Sequence, residues 1–68
     1  MPIGALLKAC DRGFGFIRPR AGGADIFFHF GDLGVDPDEL VIGDRLQYDV
    51  GAARDGREIA TRVRWAED

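Results

Sequence analysis

The sequence predicts an all-β protein, a five-stranded antiparallel OB-type barrel. Three observations indicate this class. Ten glycines divide the 68 residues into short apolar runs, and no window of a dozen residues keeps a helical period. Several of these runs alternate apolar and polar residues, as half-buried strands do. Five short strands supply too little material for two full sheets, whereas one closed barrel protects the strand edges and encloses a single core.

The strands follow one another between turn signals. They are predicted over residues 4–10, 13–18, 25–29, 45–50 and 57–65. Pro19 ends the second strand because proline cannot donate to a sheet ladder. In the long connection after the third strand, Asp36 is placed to cap one helical turn that begins at Pro37. Three hairpin-linked strands, a long crossover and a final hairpin are typical of an OB-type barrel.

The chain is predicted to form one domain over residues 1–68, near the lower size limit for folding without disulfides or metals. Cys10 has no second cysteine to pair with, and one cysteine with one histidine cannot form a structural zinc site. We therefore expect no metal and no cofactor, in a reducing, cytoplasmic setting. No apolar run has the length of a signal peptide or a membrane span, so we expect no membrane partner.

The net charge of −3 is unevenly distributed. Residues 1–30 carry a balance of +2, and residues 31–68 carry a balance of −5. A protein that binds nucleic acid by charge alone is basic overall, so binding by this chain would need a second source of affinity. Charge alone favours a simpler interpretation, in which an acidic surface keeps a small protein soluble.

All five phenylalanines and the only histidine lie in two short segments, "GFGFI" and "DIFFHF". Because side chains alternate between the faces of a strand, one face carries the core candidates Ile17, Ile26 and Phe28. The other face includes the histidine, whose imidazole would need buried partners inside a core. We therefore expect this second face to point outward, with Phe30 leaning over the same patch; its members are Phe14, Phe16, Phe27 and His29.

Exposed rings on adjacent strands are typical of a surface that binds unpaired nucleobases, since each stacked base contributes about 1–3 kcal/mol. Lys8 and Arg12 lie at the start of the patch, where they would meet phosphates. Gly13 and Gly15 are expected on the inner face, where their missing side chains would let the barrel close. An exposed apolar patch also fits an alternative, a surface for a partner protein or a second copy of the chain.

The two segments resemble the ribonucleoprotein motifs of cold-shock domains. "RGFGFI" at 12–17 is similar to the first motif and "DIFFHF" at 25–30 to the second, and the resemblance covers essentially the whole chain. It implies an OB-type barrel that binds single-stranded RNA or DNA and acts as an RNA chaperone or as a regulator of transcription or translation. By position, Arg12 would contact the backbone, Asp25 would contact a base edge, and bases would stack on Phe14, Phe16, Phe27, His29 and Phe30.

The first strand departs from the family pattern. Typical members carry Lys-Trp-Phe there, with both aromatics on the binding face, whereas "LLKACDRG" has no aromatic. Leu7, Lys8 or Ala9 must therefore take the positions of these two aromatics. The family's further aromatic in the long connection is also absent, and only Leu33 lies nearby. Two or three missing stacking positions, at about 1–3 kcal/mol each, would weaken binding by two or more orders of magnitude.

No nucleophile–base pair, phosphate-binding loop or carboxylate dyad is visible, so we predict no enzymatic activity and no catalytic residue. Trp65 shares its strand phase with Val63, which places it at the rim of the core and off the ring surface. The missing first-strand aromatics and the acidic second half motivate the alternative, a protein-interaction or self-association module. The sequence leaves open RNA against DNA preference, and whether the chain is a monomer or a weak dimer.

Overall fold

The computed structural model describes residues 2–10 and 12–66, and strands dominate it. Its five strands are β1 (Ile3–Cys10), β2 (Phe14–Pro19), β3 (Ile26–His29), β4 (Arg45–Ala52) and β5 (Glu58–Trp65). Each boundary lies within two residues of the predicted one. In the described part of the chain, no helix has the length and apolar character needed to span a membrane.

The strands close into a barrel in the order β1-β2-β3-β5-β4. Four of the five junctions are antiparallel. At the fifth junction β3 and β5 run parallel, with Phe27 beside Ile59. The expectation of a purely antiparallel barrel is therefore wrong at this junction. The reason is geometric, because strand directions cannot alternate all the way around a closed ring with an odd number of members.

The core is built from the inward faces of all five strands. The expected core residues Ile17, Ile26 and Phe28 are confirmed, with exposed fractions of 0%, 7% and 0%. Phe28 is the largest of the fully buried side chains. The remaining members of the apolar core are Leu6, Leu46, Tyr48, Ala60 and Val63.

The two glycines of "GFGFI", Gly13 and Gly15, have different structural roles. Gly15 lies opposite Phe28, and a Cβ there would lie 2.7 Å from the Phe28 Cζ and 2.6 Å from the Lys8 carbonyl oxygen. A side chain is therefore excluded on the inner face, as expected. Gly13 has open space around it but a φ of +94°, which L residues rarely adopt. The expectation that the missing side chain of Gly13 lets the barrel close is wrong. Glycine is required at this position by the backbone conformation of the turn before β2.

Two 3₁₀ turns, Phe30–Asp32 and Pro37–Glu39, lie in the connection between β3 and β4. The second is the predicted capped turn, since the Asp36 side chain accepts a hydrogen bond of 3.0 Å from the Asp38 backbone N–H. The first was not predicted. It leads the chain to Leu33, which forms a parallel bridge with Val63 and so extends the junction between β3 and β5.

Candidate nucleic-acid interface

The register between β2 and β3 places the predicted ring residues side by side. Phe14 lies opposite His29, and Phe16 lies opposite Phe27. Directly opposed residues share a face of the sheet, and the residues between them on both strands are buried. The four ring side chains therefore point away from the core. The three phenylalanines are half-buried and His29 is exposed.

Phe14, Phe16, Phe27 and His29 form one contiguous cluster, called the ring face below. Phe27 is at its centre. Its ring centroid lies 5.4 Å from that of Phe14 in a stacked arrangement, and 5.7 Å from Phe16 and 4.9 Å from His29 in edge-to-face arrangements. Phe14 and Phe16 also meet edge to face, at 6.1 Å. These separations are those of favourable aromatic pairs, so each ring helps to hold its neighbours in place.

Neighbouring strands extend the ring face on both sides. Lys8 of β1 lies opposite Phe16, and Ile59 of β5 lies beside Phe27. One row across four strands therefore contains, in order, Lys8, Phe16, Phe27 and Ile59. Lys8 is exposed, whereas Ile59 is half-buried. The row begins with a cation and ends with an aliphatic side chain.

A bulge in β1 turns Lys8 outward. Leu6 lies opposite Ile17 and Lys8 lies opposite Phe16, with a register shift between Leu6 and Lys8. Without the additional residue, Leu7, strict alternation would put Lys8 on the same inward face as Leu6. The bulge reverses the alternation. Three residues were considered for the positions of the missing aromatics. Of these, Lys8 is the one that lies across the strand pair from Phe16, on the same side of the sheet as the ring face.

The remaining predicted residues lie around the ring face. Arg12 is exposed in the turn that leads into β2. Asp25 is exposed just before β3, and its carboxylate lies 3.8 Å from the Nε of Arg18. It borders a pocket at the end of the barrel, together with Tyr48. Burial raises the pKa of the Tyr48 phenol.

Phe30 is placed differently from the expectation. It is half-buried and packs against the core, with its ring stacked 6.2 Å from that of Phe28. Among the described residues this is its one aromatic contact, so it does not join the ring face. The reason is local, because the 3₁₀ turn that begins at Phe30 takes the backbone out of the sheet.

A small pocket borders the ring face on the β5 side, and the sequence interpretation missed it. Phe27, His29 and Ile59 line one part, and Ala53 with three charged residues at the β4–β5 turn, Asp55, Arg57 and Glu58, lines the rest. These residues come together because β5 pairs with β3. No local pattern indicates that pairing, so the sequence carries no signal for the pocket.

Stacking and hydrogen bonding are the chemistry that this arrangement offers. Within residues 2–10 and 12–66, no group of three or more histidine, cysteine, aspartate or glutamate side chains is placed to hold a metal ion.

The chain matches a known protein family. Residues 5–66 match the family model described as the 'Cold-shock' DNA-binding domain. The matched range includes most of β1 and all of the other four strands. A search of curated proteins finds no matching relative.

Proposed function

The chain belongs to the cold-shock domain family, a family of nucleic-acid-binding domains, and we propose that it binds single-stranded RNA or DNA by stacking unpaired bases on the ring face. One observation carries this proposal. Four ring side chains lie in mutual contact on the outside of two paired strands. A soluble domain has little reason to expose such a patch unless something covers it.

The ring face suits a flat, apolar ligand with two accessible faces. Every nucleobase has such a face, and each one stacked on an aromatic side chain contributes about 1–3 kcal/mol. The rings already hold one another at 4.9–6.1 Å, so little side-chain freedom is lost when a base arrives. Bases in a duplex are already stacked on each other, which makes unpaired strands the preferred ligand.

Lys8 and Arg12, called the flanking cations below, supply the phosphate contacts in this proposal. Both are exposed, and Lys8 stands next to Phe16 at the β1 end of the row. Phosphate contacts position a strand without selecting its sequence. In this proposal the flanking cations align the backbone along β1, while its bases turn toward the ring face.

The cellular activity that we propose is that of a weak RNA chaperone. Bases held on the ring face are withdrawn from pairing, so stable secondary structure is disfavoured while the chain is bound. The same chemistry would serve a regulator of transcription or translation that keeps a short segment unpaired.

The test is a titration with oligothymidine or oligouridine, followed by the NMR shifts of backbone amides. We expect the largest shifts at residues 14–17 and 26–30, and weaker binding of a duplex that contains the same strand. Absence of shifts in these two segments at millimolar oligonucleotide would reject the proposal. Concentration-dependent sedimentation without any oligonucleotide response would instead favour a self-association module.

A further inference from the structure

A pocket at one end of the barrel reaches the core, and no ring-face residue lines it. Its volume is about 560 Å³, which lies in the range of small-molecule sites. Its apolar floor consists of the buried side chains of Ile26 and Tyr48 together with Val50, which is 51% exposed. The pocket over these three residues is called the barrel mouth below.

The barrel mouth is open because β4 and β5 extend past the core and no bulky side chain covers their ends. Val50 alternates with buried Tyr48 and lies opposite buried Ala60, so its side chain points to the inner face of the barrel. Its exposure shows that this inner face continues beyond the part that the core fills. The loop at 21–24, which borders the pocket from the β2–β3 hairpin, has the sequence Ala-Gly-Gly-Ala. None of these loop residues has a side chain larger than a methyl group.

Glu58 gives the barrel mouth a negative charge. It lies opposite Ala52 and shares the strand phase of buried Ala60, so its side chain also points to the inner face. Among the described residues, its carboxylate has no hydrogen bond or ion pair. The inner face therefore ends in an exposed valine beside an unpaired carboxylate.

The other two charged residues that border the barrel mouth have partners outside it. Arg57 precedes Glu58 and so has the opposite strand phase, and its Nε lies 3.0 Å from the Asp55 carboxylate. The Asp25 carboxylate lies 3.8 Å from the Nε of Arg18. Neither Asp55 nor Arg18 lines the pocket. The unpaired charge of the barrel mouth is thus negative, and it suits a ligand that carries a positive charge.

The Tyr48 hydroxyl is a further polar group at this end of the barrel. Tyr48 is 3% exposed, and its hydroxyl has no hydrogen bond within the described residues. In the same residues, no side-chain oxygen or nitrogen that is sealed from solvent lacks a partner. The phenol oxygen therefore reaches solvent through the pockets that Tyr48 lines. A hydroxyl so deeply buried usually has a hydrogen-bond partner, and a ligand can supply one here.

We propose that the barrel mouth binds a small organic amine, whose ammonium group meets Glu58 and whose apolar part covers Val50 and Ile26. An ammonium and a carboxylate form a charge-assisted hydrogen bond, and the floor removes the apolar part of the ligand from water. A neutral apolar molecule satisfies only the floor, and a small polar cation satisfies only Glu58. Because the site lies on the inner face, this inference does not rest on the proposed function.

The test compares three probes on the intact chain. Cyclohexylmethylamine has the apolar ring and the charge, cyclohexylmethanol has the ring alone, and methylamine has the charge alone. A saturated ring has no π face, so these probes do not mimic a stacked base. In NMR titrations at neutral pH, we expect the cyclohexyl amine to shift the amides of residues 22–25, 48–50 and 57–58, with a Kd on the order of 1 mM for a ligand of so few atoms. The alcohol should bind roughly fivefold more weakly, the upper end for an exposed ion pair, and methylamine should give no saturable shift.

Matched variants assign the charge and the floor. Glu58→Gln should raise the Kd of the cyclohexyl amine to that of the alcohol. Glu39→Gln makes the same charge change at an exposed position outside the barrel mouth, and it should leave both values unchanged. Val50→Ser removes apolar surface from the floor, so it should weaken the amine and the alcohol together.

Any of three results would overturn the inference. They are absence of saturable binding of the cyclohexyl amine, equal Kd values for the amine and the alcohol, and a preference for the amine that survives Glu58→Gln. Shifts confined to residues 14–16 would also refute it, because they would place the probe on the ring face. None of these results affects the oligonucleotide titration, which is carried out without an amine.

Discussion

Replacement of Phe27 by leucine should remove a stacking position while the barrel stays folded. Phe27 is the central ring of the ring face, in contact with Phe14, Phe16 and His29. It is half-buried on the outside of the barrel, whereas its neighbour Phe28 is fully buried. Leucine retains an apolar body at this position but has no π face, so binding and folding should respond differently.

The expected magnitudes separate the two effects. Loss of one base–ring stack, at about 1–3 kcal/mol, should weaken oligonucleotide binding by about 5- to 150-fold. Weaker packing against the neighbouring rings should cost about 1–2 kcal/mol of unfolding free energy. At roughly 0.05–0.15 kcal/mol per residue, a domain of 68 residues tolerates that loss and stays folded.

Fluorescence anisotropy with labelled oligothymidine measures the affinity, and urea unfolding followed by circular dichroism measures the stability. Trp65→Leu is the matched control, because it also replaces an aromatic by leucine. Trp65 is 40% exposed. It lies on β5, opposite Leu46 of β4, and roughly 20 Å along the strand from Ile59. The Trp65→Leu variant should leave the Kd unchanged. A folded Phe27→Leu variant that binds as tightly as the parent would refute the ring face as the binding surface.

The remaining predictions concern stability and salt. Gly15→Ala should lower the unfolding free energy by about 1–3 kcal/mol, because the new Cβ would lie 2.7 Å from the Phe28 ring. The control is Gly31→Ala, since Gly31 has open space around it. In the same urea titration, its unfolding free energy should stay within about 0.5 kcal/mol of the parent value. Burial raises the pKa of Tyr48, so the phenol ionises first in the unfolded chain, and the unfolding free energy should fall as pH rises through about 10. Tyr48→Phe should flatten that decline. An identical decline in the variant would show that Tyr48 does not cause it. With two flanking cations, log Kd should change with log salt by a slope of about 1.4 for a single strand, and a slope above about 3 would show that charge rather than stacking dominates.

Local patterns account for the parts of the fold that the sequence predicted correctly. Alternation along β2 and β3 separates buried Ile17 and Phe28 from outward Phe27, because the two-residue period needs no knowledge of the partner strand. The cap at Asp36 is equally local, since its hydrogen bond spans two residues. The positions of the ring residues on the sheet follow from such short-range rules.

The features that the sequence did not predict depend on contacts between distant segments. The parallel pairing of Phe27 with Ile59 follows from barrel closure, and it creates the pocket that contains Arg57. The bulge at Leu7 is defined only by the register between β1 and β2. No local signal in "LLKA" marks it, although it decides that Lys8 faces outward.

In the proposed function, the first strand decides how firmly the ring face holds a nucleic acid. Where the family resemblance implies aromatic residues, the register places Lys8 beside Phe16. A stacked base contributes about 1–3 kcal/mol, whereas an exposed ion pair contributes about 0–1 kcal/mol. Exchange of a ring for an ammonium group therefore lowers the affinity. Because affinity differences between related complexes arise mostly from the dissociation rate, this chain should release its strand quickly. Rapid release suits the proposed chaperone activity, since bases withdrawn from one structure must be freed before they can pair in another.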